Sequence, residues 1–215
     1  MNLSTAHKDF GSGDEIEQSL VLLDRALAAR SASPFEIVVV GGAALSVLGF
    51  CIRPTRDVDV VALAGEPNGV SEIALLHSRP LPDLLSSAAG DVSRALGVAA
   101  DWLNPGPADL LECGLPDGFE GRMVTRRYGN LLTVHYASRL DLIHLKVYAA
   151  ADMGVGRHTE DLRSLGPTCD ELLAGARWAR THDPSAGFTE MLVQLLRHMG
   201  CEQSAEVLSR EDRAA

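Results

Sequence analysis

Residues 37–63 read IVVVGGAALSVLGFCIRPTRDVDVVAL, and the interpretation of the whole chain turns on them. Ile37, Val38, Val39 and Val40 form an unbroken aliphatic run, the pattern of a strand covered on both faces. Gly41 and Gly42 end it, and residues 43–50 suit about two turns of helix. Val58, Val60 and Val61 then support a second strand. Side chains alternate along a strand, so Asp57 and Asp59 leave one face while Val58 and Val60 leave the other.

Two carboxylates on one strand face repel each other, an odd choice for a core. A divalent cation between them removes the difficulty. Hard oxygen ligands suit Mg²⁺ or Mn²⁺, and Mg²⁺ takes one or two protein carboxylates and shares the rest of its shell with phosphates. Gly41 and Gly42 lie where a strand feeds a helix, so their N–H groups can face an anion, and their missing side chains let a phosphate approach. The structural alternative is a valine-rich strand pair whose aspartates cap a turn.

The Gly-Gly pair followed by Asp-x-Asp resembles the nucleotidyltransferase signature of the DNA polymerase β superfamily. More narrowly, GGAALSVLGFCIRPTRDVDVV is similar to the AbiEii-type branch, which includes the MenT toxins. Arg53, Thr55, Asp57 and Asp59 match that branch's Arg-x-Thr-x-Asp-x-Asp run. The resemblance implies an α/β (α+β) fold, with a nucleotidyltransferase-like mixed sheet flanked by helices and a C-terminal helical subdomain. It also implies Mg²⁺ or Mn²⁺ on Asp57 and Asp59, and a nucleoside triphosphate whose phosphates meet Gly41, Gly42, Arg53 and Thr55. The acceptor it implies is a transfer RNA or a protein, with a small molecule as the alternative within the same chemistry. The expected partner is a cognate antitoxin, in a toxin–antitoxin or phage-defence pair.

Composition sets the outer bounds. At 46% hydrophobic, 215 residues can bury a substantial core. No apolar run approaches the roughly 20 residues of a membrane span, and MNLSTAHKDFGSGDEIEQ lacks the apolar stretch of a secretory signal. The expectation is a cytoplasmic protein with no membrane partner. A net charge of −10 argues against nucleic-acid binding over the whole surface, although a local basic patch can suffice. The densest basic cluster, Arg122, Arg126 and Arg127, reads as a solvated strand edge. Cys51, Cys113, Cys169 and Cys201 fit neither a zinc site nor a disulfide framework, and are expected to be reduced.

In chain order, residues 1–13 read as a flexible N-terminus, 14–137 as the nucleotidyltransferase-like core, 138–202 as a helical part packed on it, and 203–215 as a frayed tail. Ile16, Leu20, Leu23 and Leu27 recur at helical spacing over 14–30. Residues 65–70 read as a turn-rich loop, 82–98 as a helix with Leu84, Leu85, Ala88, Val92 and Leu96 on one face, and 107–113 as a short helix. The run Asp101-Trp102-Leu103-Asn104 also resembles AbiEii-type relatives; on physical grounds Trp102 is a core anchor and Asn104 a turn residue. Residues 122–128 and 131–137 flank Gly129-Asn130 as a hairpin. The second of these strands lacks the carboxylate that polymerase-β-like enzymes place on a later strand. His135 is a candidate base there, although a half-buried strand histidine is more often structural.

From Ser138 the pattern is helical. Ser138-x-x-Asp141 and Thr168-x-x-Glu171 read as caps, and Asp183-Pro184 as the start of a further helix. Lys146 lies inside an apolar helix, where it must snorkel or find an anion. Lys146, Arg157 and Asp161 match family positions, which implies catalytic roles for Lys146 and Asp161. A structural Lys–Asp tie between two helices explains the same residues. A binding module that keeps the fold without turnover is the alternative to an enzyme.

Overall fold

The computed structural model describes residues 7–65 and 73–214, with side chains to residue 212. Residues 66–70 of the expected loop, and 1–6 of the segment expected to be flexible, lie outside these. The chain divides into two compact units, Met1–Ala137 and Ser138–Ala215. The fold is mixed α/β: a six-stranded sheet of the described residues has both parallel and antiparallel pairs and is flanked by helices, and the C-terminal part is helical.

In the first unit, β1 (Phe35–Val40) lies in the middle of the sheet, because its aliphatic run has no face to give to water. Ile37, Val38 and Val39 are wholly buried. β1 pairs antiparallel with β2 (Val58–Gly65) and parallel with β6 (Leu132–Tyr136). β3 (Ala74–His77) and β5 (Val124–Arg127) complete the order β3-β2-β1-β6-β5, and the two-residue β4 (Leu103–Asn104) runs parallel to the start of β2. A register shift at Val38/Val39 sets Val40 opposite Asp59.

Helix α1 (Gly13–Ala28) buries Ile16, Leu20, Leu23 and Leu27 completely, as their spacing predicts, and Ser12 caps it. α2 (Gly41–Val47) starts at the glycines and stops earlier than expected. α3 (Asp83–Leu96) buries Leu85, Ala88 and Val92, but Leu84 falls out of phase and is 45% exposed. The short helices α4 (Asp109–Cys113) and α5 (Phe119–Arg122) precede the hairpin of β5 and β6. Within the described part of the N-terminal segment, one residue is packed into the core. Phe10 is buried, edge-on to Trp102 with centroids 5.8 Å apart, and its backbone bridges Thr55.

The second unit contains α6 (Arg139–Met153), α7 (Arg157–Leu165), α8 (Cys169–His182), α9 (Ala186–His198) and α10 (Glu202–Ala214). Ser138 caps α6: its Oγ accepts from Asp141 N (3.3 Å) and donates to the Asp141 carboxylate (2.5 Å). Thr168 and Glu171 form the expected capping box of α8. Ser185, not Asp183, caps α9, and Asp183 instead accepts from Ser185 N at 2.9 Å. The tail expected to fray is α10, held by buried Ala205 and Leu208 on one face. Cys169 and Cys201 are corrected as well: they form a disulfide, with Cα atoms 5.4 Å apart across 32 residues of sequence. Packing of α10 on α8 brings them together, which linear spacing cannot reveal. No helix of the described residues is long and apolar enough to cross a membrane.

Candidate active site

The predicted residues of the first unit converge at the start of β2. Asp57 precedes the strand, Asp59 is its second residue, and both are half-buried. The wholly buried Trp102 fixes what lies beside them. Its indole N–H donates to the Ala89 carbonyl (2.9 Å), and its own carbonyl accepts from Val58 N (2.6 Å). That bond seats β4 along β2, with Leu103 opposite Val58 and Asn104 opposite Asp59. Directly opposed residues share a face, so Asn104 emerges next to the carboxylates. Its Nδ2 donates to Asp59 Oδ1 at 3.0 Å and reaches Asp57 Oδ2 at 3.4 Å, while its Oδ1 accepts from Gly106 N at 2.9 Å.

Asn104, expected only as a turn residue, is the side chain that the structure adds to this group of residues. The turn bond to Gly106 is present, and the contact with both acids is additional. The Asp-Trp-Leu-Asn run was the available signal.

Gly41 and Gly42 are close to these groups for steric reasons. Gly41 has φ +71°, a conformation costly for a residue with a Cβ. A Cβ there would also fall 2.1 Å from Asp59 Oδ2. A Cβ on Gly42 would lie 2.9 Å from Thr55 Oγ1 and 3.2 Å from an Arg53 guanidinium nitrogen. The space the glycines leave is therefore used by this chain's own groups, which gather Asp59, Thr55 and Arg53 against the β1–α2 turn.

Thr55 exchanges two backbone hydrogen bonds with Phe10 (2.8 and 3.0 Å), and its hydroxyl donates to the Asp57 carbonyl (3.3 Å). It braces the loop that delivers Asp57. Arg53, half-buried, donates to the Pro54 carbonyl at 3.2 Å. Arg56 binds both oxygens of Asp101 at 2.8 Å, which raises the guanidinium pKa and lowers that of Asp101. Both side chains are exposed, so the pair contributes little stability.

The donor set suits a hard divalent cation: two half-buried carboxylates brought within reach of one amide. Among the described residues, no cluster of three or more His, Cys, Asp or Glu could hold a metal. A cation here would take Asp57 and Asp59 from the protein and complete its shell with water and phosphate oxygens, as Mg²⁺ commonly does. β6 carries no acid. His135, the candidate base, is buried with both ring nitrogens engaged, Nδ1 with Thr125 Oγ1 and Nε2 with Glu36 Oε2, each at 2.8 Å. It ties β5, β6 and β1 together.

The second unit brings Lys146 and Asp161 together. Lys146 Nζ on α6 lies 2.7 Å from Asp161 Oδ2 on α7 and 3.5 Å from His158 Nδ1. The charge of an almost fully buried lysine is thereby compensated inside the unit. Two arginines of the basic cluster are also engaged: Arg126 pairs with Glu17 at 2.6 Å, and Arg122 donates to the Asp117 carbonyl at 2.6 Å. Comparison with family models, curated proteins and solved structures gives no match to this chain.

Proposed function

We propose that the chain is a metal-dependent nucleotidyltransferase that moves a nucleoside monophosphate from a nucleoside triphosphate to a hydroxyl-bearing acceptor. The observation that carries this reading is the convergence of Asp57 and Asp59 on one amide, against a glycine whose missing side chain makes room for a carboxylate. Asp57 and Asp59 would hold Mg²⁺ or Mn²⁺. When bound, such an ion neutralises triphosphate charge and polarises the phosphoryl group under attack. The Arg53 guanidinium, beside Gly42, would meet the phosphates, and Thr55 braces the Asp57 loop. In the overall exchange an acceptor oxygen bonds to the α-phosphorus, the bond to pyrophosphate breaks, and the acceptor's proton passes to solvent or a base.

The acceptor proposed is a transfer RNA or a protein, and the setting a toxin with an antitoxin partner in the cytoplasm. Incubation with Mg²⁺, each labelled nucleoside triphosphate and cellular RNA or protein tests the chemistry. Labelled product and pyrophosphate that vanish in Asp57→Ala/Asp59→Ala are expected. Mn²⁺–nucleotide binding that is unchanged in Asp59→Ala would show the metal assignment to be wrong. Growth arrest on expression of wild type, and not of the double variant, tests the toxin setting.

A second reading, a nucleotide-binding module without turnover, is favoured by one observation. β6 offers no acid, and its histidine is engaged at both nitrogens. Nucleotide binding that depends on Asp59, with no transfer to any acceptor, is its expected signature.

A further inference from the structure

We infer that Asn104 is the positioning residue of the carboxylate pair, an amide clamp that holds Asp57 and Asp59 together before a cation arrives. This rests on the reading of those two acids as a cation site, and it adds a residue to which no function had been assigned. An asparagine side chain can turn either its oxygen or its nitrogen toward a neighbour. Here the choice is fixed, because Gly106 N–H occupies Oδ1 at 2.9 Å. The NH₂ group is left facing the acids, with contacts of 3.0 Å to Asp59 and 3.4 Å to Asp57.

The positive end of the amide dipole thus lies where two negative groups meet, and it offsets their repulsion. A carboxylate offers about four lone-pair sites on its two oxygens, so a contact with the amide and one with a cation are compatible. The clamp is itself well anchored. Trp102 and Leu103 are buried immediately before it, and Asn104 is the ladder partner of Asp59. A turn residue needs only the Oδ1 bond to its own backbone two positions on. Donation across the sheet to two acids is what a turn does not require.

Two measurements on the full chain test the clamp: thermal melting in chelator-treated buffer, and Mn²⁺ binding by calorimetry. Asn104→Ala should melt about 2–4 °C lower, the shift expected when roughly one hydrogen bond is lost from a chain of this size. In an Asp57→Asn/Asp59→Asn background the same substitution should cost at most half as much, since there is little repulsion left to offset. Asn104→Asp keeps the acceptor for Gly106 but replaces the donor with a third acid, so it should also melt below wild type. Mn²⁺ binding should weaken roughly tenfold in Asn104→Ala, the scale typical of residues that orient metal ligands.

An equal melting loss in both backgrounds, or wild-type melting of Asn104→Asp, reduces Asn104 to a turn residue and overturns the inference. Unchanged or tighter Mn²⁺ binding by Asn104→Ala does so too. If wild type and Asp57→Asn/Asp59→Asn bind Mn²⁺ alike, the cation site fails, and the metal-free melting comparison still decides whether the clamp exists.

Discussion

Lys146 Nζ lies 2.7 Å from Asp161 Oδ2, with side chains only 7% and 1% exposed. Taking either partner away removes the 2.7 Å counter-charge of a buried ionised side chain, which costs about 3–5 kcal/mol in comparable pairs. Lys146→Ala and Asp161→Ala should each destabilise the chain by about that amount in urea unfolding. Replacing both with apolar residues of similar size, Lys146→Met with Asp161→Leu, should recover most of the loss. A double variant as unstable as the singles would mean that further polar partners, not the pair, dominate this site.

The Cys169–Cys201 bond closes a loop of 32 residues between the start of α8 and the residue before α10. Loop-closure entropy assigns such a link about 3–4 kcal/mol of stability. Reduction, or Cys169→Ser/Cys201→Ser, should lower the melting temperature by about 10 °C. The comparison is made with and without a phosphine reductant. Mass spectrometry after alkylation in the unreduced protein should find labels on Cys51 and Cys113 only. In a reducing compartment the two thiols would stay apart, and the helical unit would work at its lower stability.

How much of this was legible in the sequence depended on whether the cause was local. The burial of Ile37–Val40 and the shared face of Asp57 and Asp59 follow from aliphatic content and strand alternation, and both are seen. Ser138 and Thr168 announced their helices because a cap acts on residues three positions away. The contact of Asn104 with the acids was not legible because β4 is only two residues long and pairs with β2, some 45 residues earlier in the chain. The disulfide and the anchoring of Phe10 depend on packing between elements far apart in the chain. α10 was not expected because only two apolar residues of its one buried face, Ala205 and Leu208, mark it in an otherwise polar segment.

Gly41 carries a sharper test of the site than its role in ending a strand would suggest. Alanine there meets two obstacles, the φ of +71° and the Asp59 carboxylate 2.1 Å from the added carbon. The backbone term alone is about 1–2 kcal/mol. Gly49 has a similar φ of +79° with nothing within 4 Å of an added Cβ, so it isolates that term. Gly49→Ala should lose about 1–2 kcal/mol and leave Mn²⁺ binding intact. Gly41→Ala should lose more and weaken Mn²⁺ binding roughly tenfold by pushing Asp59 aside. Equal behaviour of the two variants would detach Gly41 from the site.

His182 makes stability depend on pH in a direction that can be worked out. Its ring packs edge-on against Trp178 (centroids 4.4 Å apart) and Tyr148 (5.6 Å), and both ring nitrogens are buried without a hydrogen-bond partner. A charge near the C-terminal end of α8 would be favoured by the helix dipole. Burial opposes it and wins, lowering the pKa below the ordinary 6.5. The folded state therefore binds fewer protons than the unfolded chain just below that value. The stabilising effect is fully present above about pH 6.5 and is lost progressively as the pH falls, until the folded-state pKa has been passed. His182→Phe keeps an aromatic ring in the cluster and removes the titration. Melting temperature should fall between pH 7 and 5 more steeply in wild type than in His182→Phe, and parallel curves would show that the imidazole is already solvated in the folded chain.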